Sequence, residues 1–184
     1  MRINREKLVL IWINLLGGAA VLGSYVYELW NHPSVGAGLW GRVPLRLQPA
    51  YTGSMLAAAV GYFLFTFFIL FRLAPRPTQV SLFSALYVLI LAPSALWMPL
   101  TVRMLEQPSP LLWVVIRMVL ALVGLGSVGL LAALMRSTAS LAVAIRSQPR
   151  PWAYGLAIVG CLAFCVQTVL LDAIVWTAYF PPSF

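Results

Sequence analysis

Five long apolar segments constrain this chain more than any other feature of its sequence. They lie at about 8–30, 50–71, 80–100, 110–135 and 152–180, and each is long enough to cross the hydrocarbon core of a bilayer, which takes about 20 helical residues. Within lipid, such a segment satisfies its own backbone hydrogen bonds only as a helix. We therefore predict an all-α integral membrane protein whose single domain, residues 1–184, is a bundle of five transmembrane helices.

Composition agrees with burial in lipid. Hydrophobic residues make up 62% of the 184 residues and charged residues 9%, whereas a soluble domain carries about 25% charged residues. The net charge of +8 does not indicate nucleic-acid binding, because the basic residues are scattered over the connections and form no patch. We expect them to contact membrane lipid headgroups instead.

The distribution of basic residues predicts the orientation. If the N-terminus is cytoplasmic, eight basic residues lie on the inner side and three on the outer side, as the positive-inside rule requires. The eight are Arg2, Arg5, Lys7, Arg72, Arg76, Arg136, Arg146 and Arg150, and the three are Arg42, Arg46 and Arg103. We predict a cytoplasmic N-terminus and an external C-terminus, in a bacterial cytoplasmic (inner) membrane.

Two ionisable residues lie well inside predicted spans. Arg117 is about 10 Å into the fourth span and Asp172 about 12 Å before the end of the fifth, at 1.5 Å per residue, so both fall in the outer half of the membrane. A lone charge there costs about 2.5–3.5 kcal/mol, and an ion pair would offset that cost. We predict an Arg117–Asp172 pair. The alternative is that Arg117 snorkels outward while Asp172 is protonated or bonded locally.

Aromatic residues surround the predicted pair, and they have two interpretations. They can form an interfacial belt, or they can line an outward-facing pocket for a partly polar ligand. In the second case the ligand-binding residues are Arg117, Asp172, Trp97, Trp113, Trp176, Tyr27, Tyr51 and Trp40. Trp40 belongs to the long outer connection 31–48, which is either a lid with Trp40 facing inward or a plain interfacial loop.

Small residues recur at helical spacing in three spans, a packing signal in membranes. The sets are Gly53, Ala57 and Gly61; Ala19 and Gly23; and Gly124, Gly126 and Gly129. The last of these has the spacing G-x-G-x-x-G, but it does not indicate a dinucleotide site because no strand precedes it.

Catalytic chemistry has little support in the sequence. The single histidine, His32, lies in the outer connection, so no span offers an axial histidine to haem. We find no nucleophile–base pair and no metal-ligand cluster, and Cys161 and Cys165 are typical of helix packing. We therefore expect neither an enzyme nor a metal site. The ligand is unknown, with a porphyrin-like molecule or a lipid as candidates.

The third and fifth spans resemble those of the TspO family, the tryptophan-rich sensory or translocator proteins. The resemblance is carried by Tyr87, Ser94, Ala95, Leu96, Trp97, Pro99 and Leu100, and by Leu171, Asp172 and Trp176. Ser94 and Asp172 stand where the family has asparagine, and the family's tryptophan-containing run in the second helix is absent. The resemblance implies a five-helix bundle with a pocket beneath the first loop. Family members bind porphyrins and, in animals, sterols.

Our leading hypothesis is a non-enzymatic, TspO-like sensor or carrier that binds a hydrophobic or amphipathic ligand. The second hypothesis is an accessory structural subunit of a larger membrane complex, or a homo-oligomer. The third, a small transporter, has one candidate helix break, at Pro93 in the third span.

Overall fold

A computed structural model describes residues 5–73, 77–139 and 152–180, and every regular element in these ranges is helical. The main α-helices are α1 (Arg5–Asn31), the short α2 (Val35–Gly38), α3 (Gln48–Phe67), α4 (Pro77–Glu106), α5 (Pro110–Ala139) and α6 (Trp152–Cys165). Helix α3 continues into a π-helical turn, Phe68–Arg72. Helix α6 continues as a π-helical segment, Val166–Trp176, which is followed by one short helical turn, Thr177–Tyr179.

Within the described ranges, five helical spans are long and apolar enough to cross a membrane, which confirms the predicted fold class. They are Lys7–Asn31, Gln48–Arg72, Thr78–Glu106, Pro110–Ser137 and Trp152–Tyr179. Four of them agree with the predicted bounds to within two residues at each end, and the third extends at its C-terminal end to Glu106 rather than residue 100.

The third span is one unbroken helix although it contains two prolines. Pro93 and Pro99 both lie inside the unbroken helix α4, so Pro93 is not the helix break that a transporter would use. Neighbouring hydroxyl groups bond to the helix carbonyls: Ser94 Oγ donates to Ile90 O at 2.7 Å and Thr101 Oγ1 to Trp97 O at 2.8 Å. These are the i−4 bonds that serine and threonine commonly make in helices. The carbonyls that the two prolines leave without an N–H donor are those of Leu89 and Ala95.

The spans are arranged as an incomplete ring. Helix α1 packs on α4, α4 on α5, α5 on α6, and α6 on α3. The remaining neighbours, α1 and α3, approach each other at few points. One of these is a hydrogen bond from Tyr62 Oη to Asn14 Oδ1 at 2.5 Å. The ring is therefore nearly open between α1 and α3.

The bundle has two halves with different cores. We call the half nearer residues 32–47 the loop half and the other the far half. The far half contains the larger apolar core, including Phe65, Ile69 and Phe83, which are fully buried. There α3 and α6 come into backbone contact, since a Cβ built on Gly160 would lie 2.8 Å from Gly61 Cα.

Some of the small residues lie at contacts between helices, and others are exposed. A Cβ on Gly126 would lie 2.7 Å from Ile90 Cγ1, and one on Gly129 2.7 Å from Leu86 Cδ2, so these glycines let α5 approach α4 as the packing interpretation requires. By contrast, a Cβ on Gly23 or Gly53 would meet nothing within 4 Å. Ala19 and Gly23 are exposed on the outside of the described bundle, as are Gly53 and Ala57, whereas Gly61 of the same set is buried against Gly160.

Candidate ligand-binding site

The π-helical segment of the last span brings two polar side chains together. Gln167 and Asp172 are five residues apart, which in an α-helix places them about 140° from each other around the axis. A π-helix bonds each residue to the one five positions away, so the two share a face. Gln167 Nε2 donates to Asp172 Oδ1 at 2.8 Å. The wider helix thus directs an amide and a carboxyl group to the same point.

Three other spans contribute to the same place. Tyr51 of α3 donates its hydroxyl to Asp172 Oδ1 at 2.8 Å. Tyr25 of α1 lies within electrostatic range of Asp172 and contacts Trp97 of α4, with ring centroids 5.7 Å apart. We call Tyr25, Tyr51, Trp97, Gln167 and Asp172 the Asp172 cluster. It lies in the loop half, beside the opening between α1 and α3.

Two buried polar atoms of the cluster lack partners. Trp97 Nε1, a donor, and Gln167 Oε1, an acceptor, make no hydrogen bond within the described part of the chain. Gln167 is only 5% exposed. Each unsatisfied buried group costs about 1–3 kcal/mol, so native proteins rarely retain one without a reason. A bound molecule that accepts from Trp97 and donates to Gln167 would remove both costs.

Aromatic rings form the wall between the cluster and the end of the bundle. Trp176 contacts Trp97 at 5.6 Å between centroids and stacks on Phe180 at 4.4 Å. Trp113 stacks on Phe180 at 5.9 Å. Rings with such spacings stabilise one another by about 0.5–1.5 kcal/mol beyond their buried area. The predicted residues Trp97, Trp113 and Trp176 therefore lie together.

The loop of residues 32–47 is fastened over this wall. Trp176 Nε1 donates to Leu39 O at 2.9 Å, and Arg42 N donates to Tyr179 O at 2.7 Å. Gly41 has φ +55°, and a Cβ there would lie 2.8 Å from Tyr179 O, so the contact requires glycine.

Trp40 turns inward from this loop. It is half-buried and meets the Tyr51 ring edge-on at 5.8 Å. Of the two arrangements considered for this connection, the structure has the first: the loop covers the end of the bundle and Trp40 faces inward.

The predicted direct ion pair is wrong. Arg117 is exposed and lines an open groove of about 360 Å³ together with Val114, Met118, Ala121 and Ala173. Within the described residues Asp172 has no basic partner within 4 Å. The reason is helical phase: Ala173 faces the Arg117 groove, whereas Asp172 turns to Tyr51. Arg117 is thus exposed, as the alternative has it, whereas Asp172 is bonded both locally, to Gln167, and across the bundle, to Tyr51.

Sequence reasoning selected some of the cluster residues and missed others. Tyr51, Trp97 and Asp172 were predicted and lie in the cluster, whereas Tyr27 is 64% exposed and lies outside it. Gln167 and Tyr25 were missed. An amide inside an apolar span was a usable signal for Gln167. Tyr25 had no such signal, because a tyrosine near a span end is also typical of an interfacial belt.

The single histidine joins two helix ends in the loop half. His32 Nδ1 lies 2.8 Å from Glu106 Oε1, and His32 Nε2 lies 3.6 Å from Glu28 Oε2. These groups connect the ends of α1 and α4 at the surface. Among the described residues, no group of three histidine, cysteine or acidic side chains is arranged to hold a metal ion.

No protein-family model, curated protein or solved structure matches this chain. The TspO resemblance remains a prediction that depends on the residues quoted for it above.

Proposed function

We propose that this protein is a non-enzymatic membrane protein that binds a hydrophobic or amphipathic ligand at the Asp172 cluster. The observation that carries the proposal is the pair of unsatisfied buried atoms, Trp97 Nε1 and Gln167 Oε1, beneath a fastened loop. A sensor or carrier has a use for such a pre-formed site, whereas a purely structural bundle gains nothing from two unmet hydrogen bonds.

The helix arrangement supports entry from the membrane. The ring of spans is nearly open between α1 and α3, and Tyr25 and Tyr51 of the cluster belong to these two helices. A ligand dissolved in lipid can reach Asp172 through this side without displacing the loop. Its apolar part would remain among aromatic rings while its polar part meets Asp172, Gln167 and Trp97.

The orientation and the family belong to the same proposal. The basic residues favour a cytoplasmic N-terminus in a bacterial inner membrane, which places the cluster in the outer half. If the TspO resemblance reflects common ancestry, porphyrin-like molecules and lipids are the first ligands to test.

Gentle purification followed by native mass spectrometry tests this function. We expect the wild-type chain to retain a non-protein species that Trp97→Phe loses, because phenylalanine keeps a ring but removes Nε1. Trp12→Phe is the matched control, since Trp12 is 55% exposed on α1. Equal retention by all three proteins, or no retained species together with no binding of added amphiphiles, would reject the proposal.

A second candidate, an accessory subunit, is favoured by a different observation. Only 6% of the apolar window in the first span is buried, and the small residues Ala19 and Gly23 are exposed there. Small residues let another transmembrane helix approach closely. Gly23→Leu should then release the chain from a complex with another membrane protein, whereas Leu22→Ile should not. A wild-type chain that extracts alone in mild detergent would exclude this candidate.

A further inference from the structure

The chemistry of the Asp172 cluster narrows the class of ligand. We propose that it recognises an amphipathic organic cation, an alkyl- or arylammonium whose charged head meets Asp172 and whose apolar body lies among the aromatic rings. This inference rests on the proposed function, since it assumes that the cluster is a binding site. Three features of the site, namely its open acceptors, its charge and its rings, support it independently.

Hydrogen-bond acceptors are in excess at the cluster. Tyr51 and Gln167 both donate to Asp172 Oδ1, and no described group donates to Asp172 Oδ2. Gln167 Oε1 is a second open acceptor, against one open donor, Trp97 Nε1. An ammonium group offers several N–H donors and no acceptor. The site therefore suits a donor-rich head group better than a carboxylate or phosphate, and the face of an aromatic ring in the ligand's body can accept from Trp97 Nε1.

The charge at the cluster is uncompensated. Asp172 has no basic side chain within 4 Å among the described residues, and Arg117 lies in a groove on another face. Placing an ionised carboxyl group away from water costs several kcal/mol unless an opposite charge is close. A cationic ligand supplies that charge, and an anionic ligand would add to the repulsion. A neutral ligand beside a protonated Asp172 is the competing arrangement.

The aromatic rings around Asp172 provide a second attraction for a cation. Tyr51 touches Asp172 directly and meets Trp40 edge-on at 5.8 Å, while Tyr25 and Trp97 lie with centroids 5.7 Å apart. A cation within about 6 Å of an aromatic face gains about 0.5–2 kcal/mol, and aromatic cages combined in this way recognise alkylammonium groups. A carboxylate surrounded by tyrosine and tryptophan is thus complementary to an ammonium head.

The test uses three probes with one apolar body and three charges: naphthylethylamine, naphthylethanol and naphthylacetate. Binding is measured at neutral pH by equilibrium dialysis against protein in nanodiscs of zwitterionic lipid, with empty nanodiscs subtracted. We expect the amine to bind about tenfold tighter than the alcohol, a difference of about 1.4 kcal/mol, and the acetate to bind weakest.

Variants assign the preference to Asp172. Asp172→Asn keeps acceptor oxygen for Tyr51 and Gln167 but removes the charge, so it should weaken amine binding about tenfold and leave the alcohol unchanged. Glu106→Gln, which removes an exposed acid at the same end, should change neither. Circular dichroism and the unchanged alcohol affinity verify that the asparagine variant is folded.

The possible failures are distinguishable. If the alcohol or the acetate binds as well as the amine, the protein binds amphiphiles but the cation preference is refuted. If the amine preference survives Asp172→Asn, the assignment to Asp172 is refuted. If no probe binds above empty nanodiscs, the cation proposal fails. The proposed function then fails as well only if native mass spectrometry also detects no Trp97-dependent species.

Discussion

The two halves of the bundle differ in how their buried polar side chains are hydrogen-bonded. In the far half, Tyr87 is fully buried and donates to Thr66 Oγ1 at 2.9 Å, and Tyr62 donates to Asn14 Oδ1 at 2.5 Å. These pairs are surrounded by large apolar side chains. In the loop half, Trp97 Nε1 and Gln167 Oε1 are buried without partners. Among the described residues, the buried side-chain polar atoms of the far half all have partners within the chain, whereas two in the loop half do not.

We therefore expect the far half to contribute mainly to stability and the loop half mainly to function. A membrane bundle is held by close packing and interhelical hydrogen bonds, because lipid is as apolar as the helices themselves. The far half has both, including the backbone contact between Gly61 and Gly160. Functional sites commonly retain local arrangements that cost stability, and the Asp172 cluster is such an arrangement. Substitutions in the two halves should therefore change different measurements.

The largest effect is expected at the backbone contact of the far half. Gly61→Ala would place a Cβ 2.9 Å from Gly160 Cα, so α3 and α6 must separate. We expect a loss of about 3 kcal/mol in the free energy of unfolding, the upper part of the range for overpacking. Gly53→Ala on the same helix meets nothing within 4 Å and should be neutral or slightly stabilising. Unfolding in mixed detergent measures both, and equal effects would contradict the packing account.

Two buried tyrosines provide the sharpest contrast between the halves. Tyr87→Phe removes the hydrogen bond to Thr66 and should cost about 1 kcal/mol of stability without changing the affinity for naphthylethylamine. Tyr51→Phe removes a donor to Asp172 and should weaken that affinity about fivefold for a similar loss of stability. Thermal unfolding and dialysis are read on the same preparations. If both variants change binding equally, the division between the halves is not valid.

A smaller, local effect is expected where the loop is fastened. Trp176→Phe removes the hydrogen bond to Leu39 O and should cost about 1 kcal/mol, with faster amide exchange confined to residues 32–47. Trp113→Phe retains a ring in the same stack and is the control. Hydrogen–deuterium exchange measures the effect. Faster exchange spread over the far half would show that the loop belongs to the general stability of the bundle.

The smallest effect is expected for the energetic coupling between Arg117 and Asp172 in the loop half. Arg117 and Asp172 do not pair, so the changes Arg117→Met and Asp172→Leu should be additive to within about 0.5 kcal/mol. Neutralising Arg117 alone should cost little, because it is exposed. A double-mutant cycle in thermal stability checks this. A coupling energy above about 1 kcal/mol would restore the ion pair and remove the main argument for a cationic ligand.

The spans were predictable because the bilayer imposes a simple rule on sequence. A helix of about 20 apolar residues is required for each crossing, and the five segments meet it whatever their neighbours are. The third span shows where the rule is imprecise. The predicted end was near residue 100, whereas α4 continues as an unbroken helix to Glu106.

The site was only partly predictable because the sequence indicates how deep a residue lies in the membrane but not which way its side chain faces. The sequence placed Arg117 and Asp172 at the same depth, and depth follows from counting residues. Their failure to meet is a matter of rotation around the helix axis. The π-helical segment Val166–Trp176 changes that rotation, and it also brings Gln167 to Asp172. Periodicity at 3.6 residues per turn gives no warning of such a segment.

The sequence by itself determined that this chain forms five membrane-length helices with few charges between them. These properties depend on the composition of each segment, so each segment can be predicted without knowing how it packs against the others. Only the tertiary structure decided which polar groups meet. The contact between Tyr51 and Asp172 joins residues 121 positions apart, and it depends on how α3 and α6 are positioned and rotated. Those positions follow from the packing of all five helices at once, including the Gly61–Gly160 contact, and no single segment encodes them.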